Sequence, residues 1–391
     1  MLPLTNITVV SLEQAVAAPF ASRQLADLGA RVIKVERPGV GDFARHYDTT
    51  VQGESSHFVW VNRGKESLTL NLKASAGQAI LAQLLAQADV FIQNLAPGAI
   101  ERMGFGPDEL TERFPRLIVC NISGYGRGGP YETKKAYDLL IQAEAGFLSV
   151  TGTEEEPSKA GISVADIAGG MYAFTGILTG LIARGQTGQG QVLDVSLFDG
   201  LCEWMGYPAY YARGGTPPRR TGAGHATIAP YGPFRTGDGG TIMLGIQNER
   251  EWARFCTDVL GRPALAEDER FASNSARSAN RPALRAAIEA VLGMLSADDV
   301  SARLDGAGIA NSQLRDIGEF WHHPQLVERD RVVQVDSPGG KIPALVPPVS
   351  FSHIHAQMGA IPRLGSHTDG ILGQLGYDAA VIQRLREQGV V

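Results

Sequence analysis

In Gly161-Ile-Ser-Val-Ala-Asp-Ile-Ala-Gly-Gly170 a lone carboxylate, Asp166, lies between glycine-bearing turns and heads a long apolar segment. A carboxylate at such a place has two physical uses. It can cap the amino end of a helix, where aspartate contributes on the order of 1 kcal/mol, or it can attack an activated acyl group as a nucleophile. The rest of the chain offers little competing chemistry. It has no Gly-x-Ser-x-Gly elbow and no phosphate loop ending in Gly-Lys-Ser/Thr. His322-His323 precedes Pro324 at an expected helix end, and His353 and His355 alternate in a strand-like tail. Neither pattern has the carboxylate or cysteine spacing of a metal site.

Other segments could bind rather than react. Arg37 directly follows an expected strand, Lys73 follows another at Leu68–Leu72, and Asn94 ends a third with Arg102 eight residues on. Each alone reads as a solvated surface group. Together, at the carboxyl ends of parallel strands, they suit a phosphate-bearing ligand. The first turn, Glu13-Gln-Ala-Val-Ala-Ala-Pro19, lacks the Gly-x-Gly-x-x-Gly pattern of a nicotinamide site; its small residues would admit an adenine or pantetheine, or simply pack a helix closely. Gly124 to Pro130 reads as a flexible turn. Thr221-Gly-Ala-Gly-His225 is either a plain loop or a source of backbone N–H groups for a developing anion.

These residues need a frame, and the apolar periodicity supplies one. Ile7–Leu12 reads as a strand, Pro19–Leu28 as a helix and Gly29–Glu36 as a second strand. Leu68–Leu72, the stripe Ile80, Leu81, Leu84 and Leu85, and Asp89–Asn94 repeat the unit, and Leu117–Ile122 and Gly190–Leu197 add strands. Such alternation predicts an α/β fold with a Rossmann-like parallel sheet and ligands at the strands' carboxyl ends. Residues 213–240 shift to Gly, Pro, Arg and Thr and read as an ordered linker or active-site loop. Helical stripes return at Glu251–Leu260 and Pro282–Leu292, and a last helix runs over Asp378–Glu387. The expected domains are a large one over 1–200, a linker with the glycine loop over 201–225, a smaller α+β domain over 226–330, and a return segment over 331–391 completing the large domain.

Bulk composition narrows the class. At 391 residues with 44% apolar and 19% charged residues, a soluble two-domain protein is expected. A net charge of -6 argues against nucleic acid as the main partner. Cys120, Cys202 and Cys256 form no Cys-x-x-Cys pair, which suits a reduced, cytoplasmic setting, and the first residues carry no export signal. Ala168–Ala183 reads as a buried helix of sixteen residues with four glycines, too short and polar to span a bilayer. No metal and no membrane partner is expected.

Taken in order, Gln14 to Pro19, Gly29-Ala-Arg-Val-Ile-Lys-Val-Glu-Arg-Pro38, Asn62 to Lys73, Asn94-Leu-Ala-Pro-Gly98, Arg102-Met-Gly-Phe105, Lys135-Ala-Tyr-Asp138, Asp166, Thr187-Gly-Gln-Gly-Gln191 and Leu364-Gly-Ser-His-Thr368 give the chain an almost end-to-end resemblance to the class III coenzyme A transferases, the CaiB/BaiF group. The resemblance implies that Asp166 is the nucleophile. It would attack an acyl-CoA to give an aspartyl-acyl anhydride, receive CoA back as an aspartyl-CoA thioester, and pass it to an acceptor acid. Both intermediates are activated acyl groups, so the thioester energy is retained as long as water is kept out. The resemblance also implies that Gln14, Ala15, Val16 and Ala17 line the path of the pantetheine and adenine, and that Leu70 and Lys73 border the nucleotide. Arg37, Asn94, Arg102, Met103 and Lys135 would contact phosphates or adenosine, with Tyr137 beside them. Gly222, Gly224 and His225 would form the loop over the intermediate, and two chains would interlace as a homodimer.

The sequence departs from the family pattern at Gln14, where some members carry histidine, at Ser366 in place of glutamate, and in the short glycine run. The related α-methylacyl-CoA racemases resemble this chain too, but they place a histidine where Tyr137 stands. A phenol with an ordinary pKa of about 10 is a poor base for proton exchange near neutrality. A non-catalytic acyl-CoA-binding protein is the third reading, with Asp166 as a helix cap. Compact members of the family act on dicarboxylic acids such as succinate, glutarate, itaconate or mesaconate, and Arg45, His46, Arg219, Arg220 or His225 would hold a second carboxylate.

Overall fold

Alternating β-branched runs and amphipathic stripes produce a six-stranded parallel sheet in the computed structural model, which describes residues 1–391. The chain divides into two units. One contains Met1–Phe147, Ala160–Tyr207 and Pro324–Val391; the other contains Leu148–Lys159 and Pro208–His323.

The sheet of the first unit comprises β1 (Thr8–Leu12), β2 (Arg31–Glu36), β3 (Lys65–Thr69), β4 (Val90–Gln93), β5 (Ile118–Ser123) and β6 (Val192–Ser196), in the order β3-β2-β1-β4-β5-β6. All five neighbouring pairs are parallel. The order reverses between β1 and β4, which opens a crevice at their carboxyl ends, the usual ligand position in such sheets. Apolar side chains fill both faces. Val10, Ile33 and Phe91 point into one core with helix Ser75–Leu85, and Val9, Val32 and Ile92 into the other with helix Ala17–Asp27.

Periodicity misplaced one strand. Leu68–Leu72 was expected, whereas β3 begins three residues earlier, at Lys65, and pairs Lys65 with Val32 and Thr69 with Glu36. A charged residue opening a buried strand leaves no apolar signature; Lys65 is buried there because Glu13 neutralises it. The segment Leu364–Thr368 covers the open edge of this strand. Ser67 N–H donates to His367 Nδ1 (3.1 Å), Thr69 N–H donates to Thr368 Oγ1 (3.0 Å), and Gly365 N–H donates to Ser67 Oγ (2.9 Å). Helices Thr368–Gln374 and Ala379–Glu387 then bury Ile371, Leu372, Ile382 and Leu385 against the same sheet.

The long apolar helix runs over Val164–Thr187, 24 residues rather than the sixteen expected, and stops at Gly188 in the left-handed conformation (φ +75°). By length and composition it is apolar enough to cross a membrane, and its small residues Ala165, Ala168, Gly169, Gly170, Ala173 and Gly180 are buried. Its glycines serve close packing. A Cβ on Gly170 would stand 2.7 Å from the Ala17 carbonyl oxygen, and one on Gly169 would stand 2.3 Å from Leu197 Cδ2.

The second unit folds around an antiparallel sheet of β7 (Tyr231–Arg235), β8 (Thr241–Gly245) and β9 (Ala310–Gln313). Helices Glu249–Arg254, Arg281–Leu292 and Ala297–Gly306 pack over it, burying Trp252, Ile288 and Val300. Residues 213–240 are therefore not loop throughout, since β7 lies among them. The stretch with His353 and His355 forms no strand; the hairpin before it, Val332–Ser337 with Gly340–Leu345, ends at Leu345, and Pro347-Pro348 beyond it cannot extend the ladder.

Candidate active site

Asp166 is the third residue of helix Val164–Thr187, not its cap. Ser163 holds the N-cap position without a side-chain bond, and the capping acceptor comes from another helix, Asp138–Glu144. Asp138 Oδ1 accepts from the backbone N–H of Ala165 (2.8 Å) and of Asp166 (3.3 Å), and Gln142 Nε2 steadies the other oxygen at 2.6 Å. The capping role considered for Asp166 thus belongs to Asp138.

Freed from capping, the Asp166 carboxyl carries neither a hydrogen bond nor an ion pair. It is half-buried in the first helical turn. Burial, and then repulsion from the Asp138 carboxylate, lift its pKa from 3.8 to about 7. A desolvated carboxylate titrating near neutrality is poised for nucleophilic or proton-transfer work. Tyr47 shares this environment. Burial and the negative charges of Asp42 and Asp166 raise its phenol to about 12, and its ring packs edge-on to His57 at 5.3 Å. Tyr137, 70% exposed, acts on Tyr47 too.

The first βα turn is held from beneath. Gln14 N–H donates to Asn94 Oδ1 and Asn94 Nδ2 returns a bond to the Gln14 carbonyl, both at 2.9 Å. Asn94 therefore fastens β4 to the turn. Ala15 adopts φ +60°, strained for a residue with a Cβ, and its N–H donates to Asp42 Oδ1 at 3.1 Å. Asp42 is in turn fixed by Lys34 Nζ at 2.8 Å. The side chains of Val16, Ala17 and Leu70 are buried in the unit, so Gln14 and Ala15 are the accessible members of the expected pantetheine path.

Of the other expected contacts, Arg37, Lys73, Arg102 and Lys135 are exposed and Met103 is half-buried. Arg37 directly follows β2, whereas Arg102 lies nine residues beyond the end of β4 and Lys135 twelve beyond that of β5. Lys73 stands farther from its strand than expected, because β3 ends at Thr69. The sequence reading missed Asp138 and Tyr47 as site residues. Asp138 was visible only as the end of Lys135-Ala-Tyr-Asp, and Tyr47 follows a short 3₁₀ turn with no periodic pattern.

The glycine loop lies in the second unit and is hydrogen-bonded within it. Gly222, at φ +61°, donates its N–H to the Gly152 carbonyl (2.8 Å), and His225 N–H donates to the Tyr231 carbonyl (2.9 Å). His225 Nδ1 accepts from the N–H groups of Thr227 (3.2 Å) and Ile228 (3.1 Å), so Nε2 carries the ring proton and is the donor. The ring stacks on Tyr231 at 5.2 Å. Gly224 and Gly232 pass so closely that a Cβ on Gly232 would stand 3.0 Å from Gly224 Cα. No group of three or more His, Cys, Asp or Glu side chains is placed to hold a metal ion.

Comparison with known proteins joins these features. The model of CoA-transferase family III matches residues 4–368. Succinyl-CoA:glutarate CoA-transferase of Mus musculus is 34% identical over 401 residues, spanning 100% of this chain and 91% of that protein. Acetyl-CoA:oxalate CoA-transferase of Acetobacter aceti is 37% identical over 335 residues, spanning 85% and 86%. In three dimensions a CaiB/BaiF family protein from Brucella suis superposes with a TM-score of 0.85 at 35% identity, covering 96% of this chain and 99% of that one.

Proposed function

Because the chain belongs to CoA-transferase family III, and is therefore an enzyme that works on CoA thioesters, we propose that Asp166 carries CoA from an acyl-CoA donor to a small dicarboxylic acid. The observation that supports this reading most is the Asp166 carboxyl itself, unpartnered, half-buried and titrating at about 7.

On this reading the ionised carboxylate attacks the thioester carbonyl, and CoA thiolate departs to leave an aspartyl-acyl anhydride. The thiolate then attacks the aspartyl carbonyl, releasing the donor acid and forming an aspartyl-CoA thioester. The acceptor carboxylate attacks that thioester, CoA thiolate leaves once more, and its attack on the acceptor's acyl carbon gives the new acyl-CoA and restores Asp166. Each step exchanges one activated acyl group for another, so the barrier to be lowered is that of a developing oxyanion. The N–H groups of Gly222, Gly224 and His225 are already bonded to the carbonyls of Gly152, Thr221 and Tyr231, so within the loop that this reading assigns to the intermediate the Ala223 N–H is the remaining backbone donor. Gln14 and Ala15 would meet the pantetheine. Arg37, Lys73, Arg102 and Lys135 would meet phosphates, with Tyr137 beside them and Asn94, Val16, Ala17, Leu70 and Met103 shaping the surface behind. Each well-formed charged contact contributes roughly 1.5–3 kcal/mol.

The glutarate and oxalate specificities of the two relatives support a dicarboxylate acceptor. With succinyl-CoA as donor, a panel of glutarate, itaconate, mesaconate, oxalate, acetate and butyrate is expected to give turnover with at least one diacid. Its kcat/KM should exceed that of the monoacids by about 10²-fold or more, the margin set by an otherwise unpaired charge. Turnover confined to monocarboxylates would remove this specificity.

The same reading expects a homodimer in a reducing cytoplasm. Cys120, Cys202 and Cys256 are all free thiols. Ile182 is 67% exposed and Trp204 48% exposed on the first unit, apolar surface that a second copy would cover. Light scattering is expected to give a mass of about two chains, and the mass of one chain at micromolar concentration would refute the dimer.

A further inference from the structure

The turn Gly124–Pro130 leaves the carboxyl end of β5, and the transfer reading gives it no part. Its first residue is anchored. The Gly124 carbonyl accepts the N–H of Phe198 at 3.0 Å and, more weakly, the Ser196 hydroxyl at 3.4 Å, which ties the turn to the end of β6 and the start of helix Leu197–Trp204. Tyr125 adds to the anchor, its ring packing on Phe198 at 5.8 Å and meeting Tyr131 edge-on at 5.2 Å. Beyond Tyr131 the chain folds back and brings Ala136 against Gly124.

That contact leaves no room for a second side chain. A Cβ on Gly124 would stand 2.2 Å from the Ala136 Cβ, where carbon atoms ordinarily meet at about 3.5–4.0 Å. Gly124 is not in the left-handed conformation, so an alanine there would be opposed by Ala136 and not by its own backbone. The Ala136 methyl is fixed to the main chain and packed against the apolar core that holds Ile141 and Ala165, so it cannot swing aside. The backbones would have to part by about 1 Å or more. Two residues on lies Asp138, whose Oδ1 accepts from the N–H groups of Ala165 and Asp166. A displacement at Ala136 therefore reaches the cap with only Tyr137 between.

We infer, on the reading of Asp166 as the nucleophile, that Gly124 is a positioning residue for it: the missing side chain lets Ala136 close on the anchored turn, and this contact sets Asp138 where its carboxylate caps the Asp166 helix. The turn thus serves the reaction without touching a substrate.

The test moves one methyl group across the contact. Full-length wild type, Gly124→Ala, Ala136→Gly and the double variant Gly124→Ala/Ala136→Gly are compared in kcat, with succinyl-CoA and the best acceptor of the acid panel, and in hydrogen exchange of the Ala165 and Asp166 amides. Both amides lie in the first turn and have no partner within their helix, so their protection reports the cap and needs no turnover. Gly124→Ala is expected to lose about 10²-fold in kcat, the cost of a misplacement of about 1 Å, and to exchange both amides about tenfold faster. Its rising pH–rate limb should move to lower pH. Asp138 is the charge that repels Asp166, and Tyr47, the other ionisable group coupled to Asp166, keeps its proton up to about 12. In the double variant the transferred methyl would stand 3.6 Å from the Cα of residue 136, an ordinary contact. Its kcat, protection and limb should return most of the way to wild type, and Ala136→Gly alone should cost less than Gly124→Ala.

Three results would remove this role: a folded Gly124→Ala with wild-type kcat or with both amides still protected, a limb that stays in place in that variant, or a double variant no better than Gly124→Ala. If unfolding curves show that Gly124→Ala does not fold, the double variant decides, supporting the role when folded, protected and active and overturning it otherwise. Failure of the transfer reading would appear separately, as absent turnover in wild type, while amide exchange across the four proteins still reports whether Gly124 sets the cap.

Discussion

Asp166→Asn is expected to abolish CoA transfer, by on the order of 10⁴-fold or more, the scale of loss when a covalent nucleophile is removed. The amide is nearly the same size, and the helix cap does not depend on it, because Asp138 supplies the acceptor. The fold is therefore expected to survive while turnover is lost. Hydroxylamine added to wild type with acyl-CoA should convert Asp166 to a hydroxamate, and borohydride should reduce its thioester, each located by peptide mass. An adduct found on another residue would transfer the nucleophile's role there.

Stability gives this prediction a second readout. The Asp166 carboxyl has a folded pKa of about 7 against 3.8 for a free side chain, so the folded protein holds that proton more tightly than the unfolded chain does. Its contribution to stability is then present below 3.8 and is lost as pH rises through about 7. Urea unfolding of Asp166→Asn should show stability rising relative to wild type between pH 5 and pH 8. A variant less stable than wild type at pH 8 would mean that the native carboxylate is not destabilised. Activity runs the opposite way on the transfer reading, in which Asp166 attacks as the carboxylate, and kcat/KM of wild type should climb as pH passes about 7. Asp138→Asn keeps an oxygen to accept from Ala165 and Asp166 but removes the repelling charge. Its pH-rate limb should move to lower pH, and an unmoved limb would exclude Asp138 as the cause.

The contrast between Asp166 and Lys65 shows what the sequence could disclose. The parallel sheet was legible because Val, Ile and Leu runs such as Val9-Val10 and Val32-Ile33 are buried on both faces and need no partner to identify them. Asp166 was legible because a carboxylate beside glycines before an apolar run is out of place. Lys65 and Glu13 were not, since a charged residue becomes a core residue only through a partner distant in sequence, here 52 positions away. Asp138 was hidden for the same reason, as its function is to cap a helix that begins 26 residues later, at Val164. Tyr47 joined the site through folding alone. Sequence periodicity reports local burial, while a site assembled from strand ends depends on contacts that periodicity does not encode.

The largest stability effect is expected at Glu13. Its carboxylate, the Lys34 and Lys65 ammonium groups and Asp42 are fully buried behind the strained first turn. Lys65 Nζ meets Glu13 Oε1 at 2.6 Å, Asn62 Oδ1 at 3.0 Å and the Pro19 carbonyl at 3.1 Å, the three acceptors an ammonium requires. Burial alone would raise the Glu13 carboxyl, but Lys34 and Lys65 overcome it and hold the pKa at about 2. Burial pushes Lys65 the other way, down to about 7. Replacing Glu13 by Gln leaves surplus positive charge in a dry interior, a change that costs about 3–5 kcal/mol when one member of a buried pair is removed. Urea unfolding at pH 7 measures it. The sign with pH follows from the same values. Glu13 adds stability above its free value of 4.5 that is lost as pH falls toward 2, so the acid slope of wild type should flatten in Glu13→Gln. Lys65 makes wild type more stable as pH rises between about 7 and 10.5. Coupling is the decisive arm. Lys65→Met in the Glu13→Gln background removes the stranded charge, so the double variant should recover part of the loss instead of adding to it. Simple addition of the two single losses would show that the charges are not coupled, and that the turn carrying Gln14 and Ala15 is held by its bonds to Asn94 and Asp42 without help from this pair.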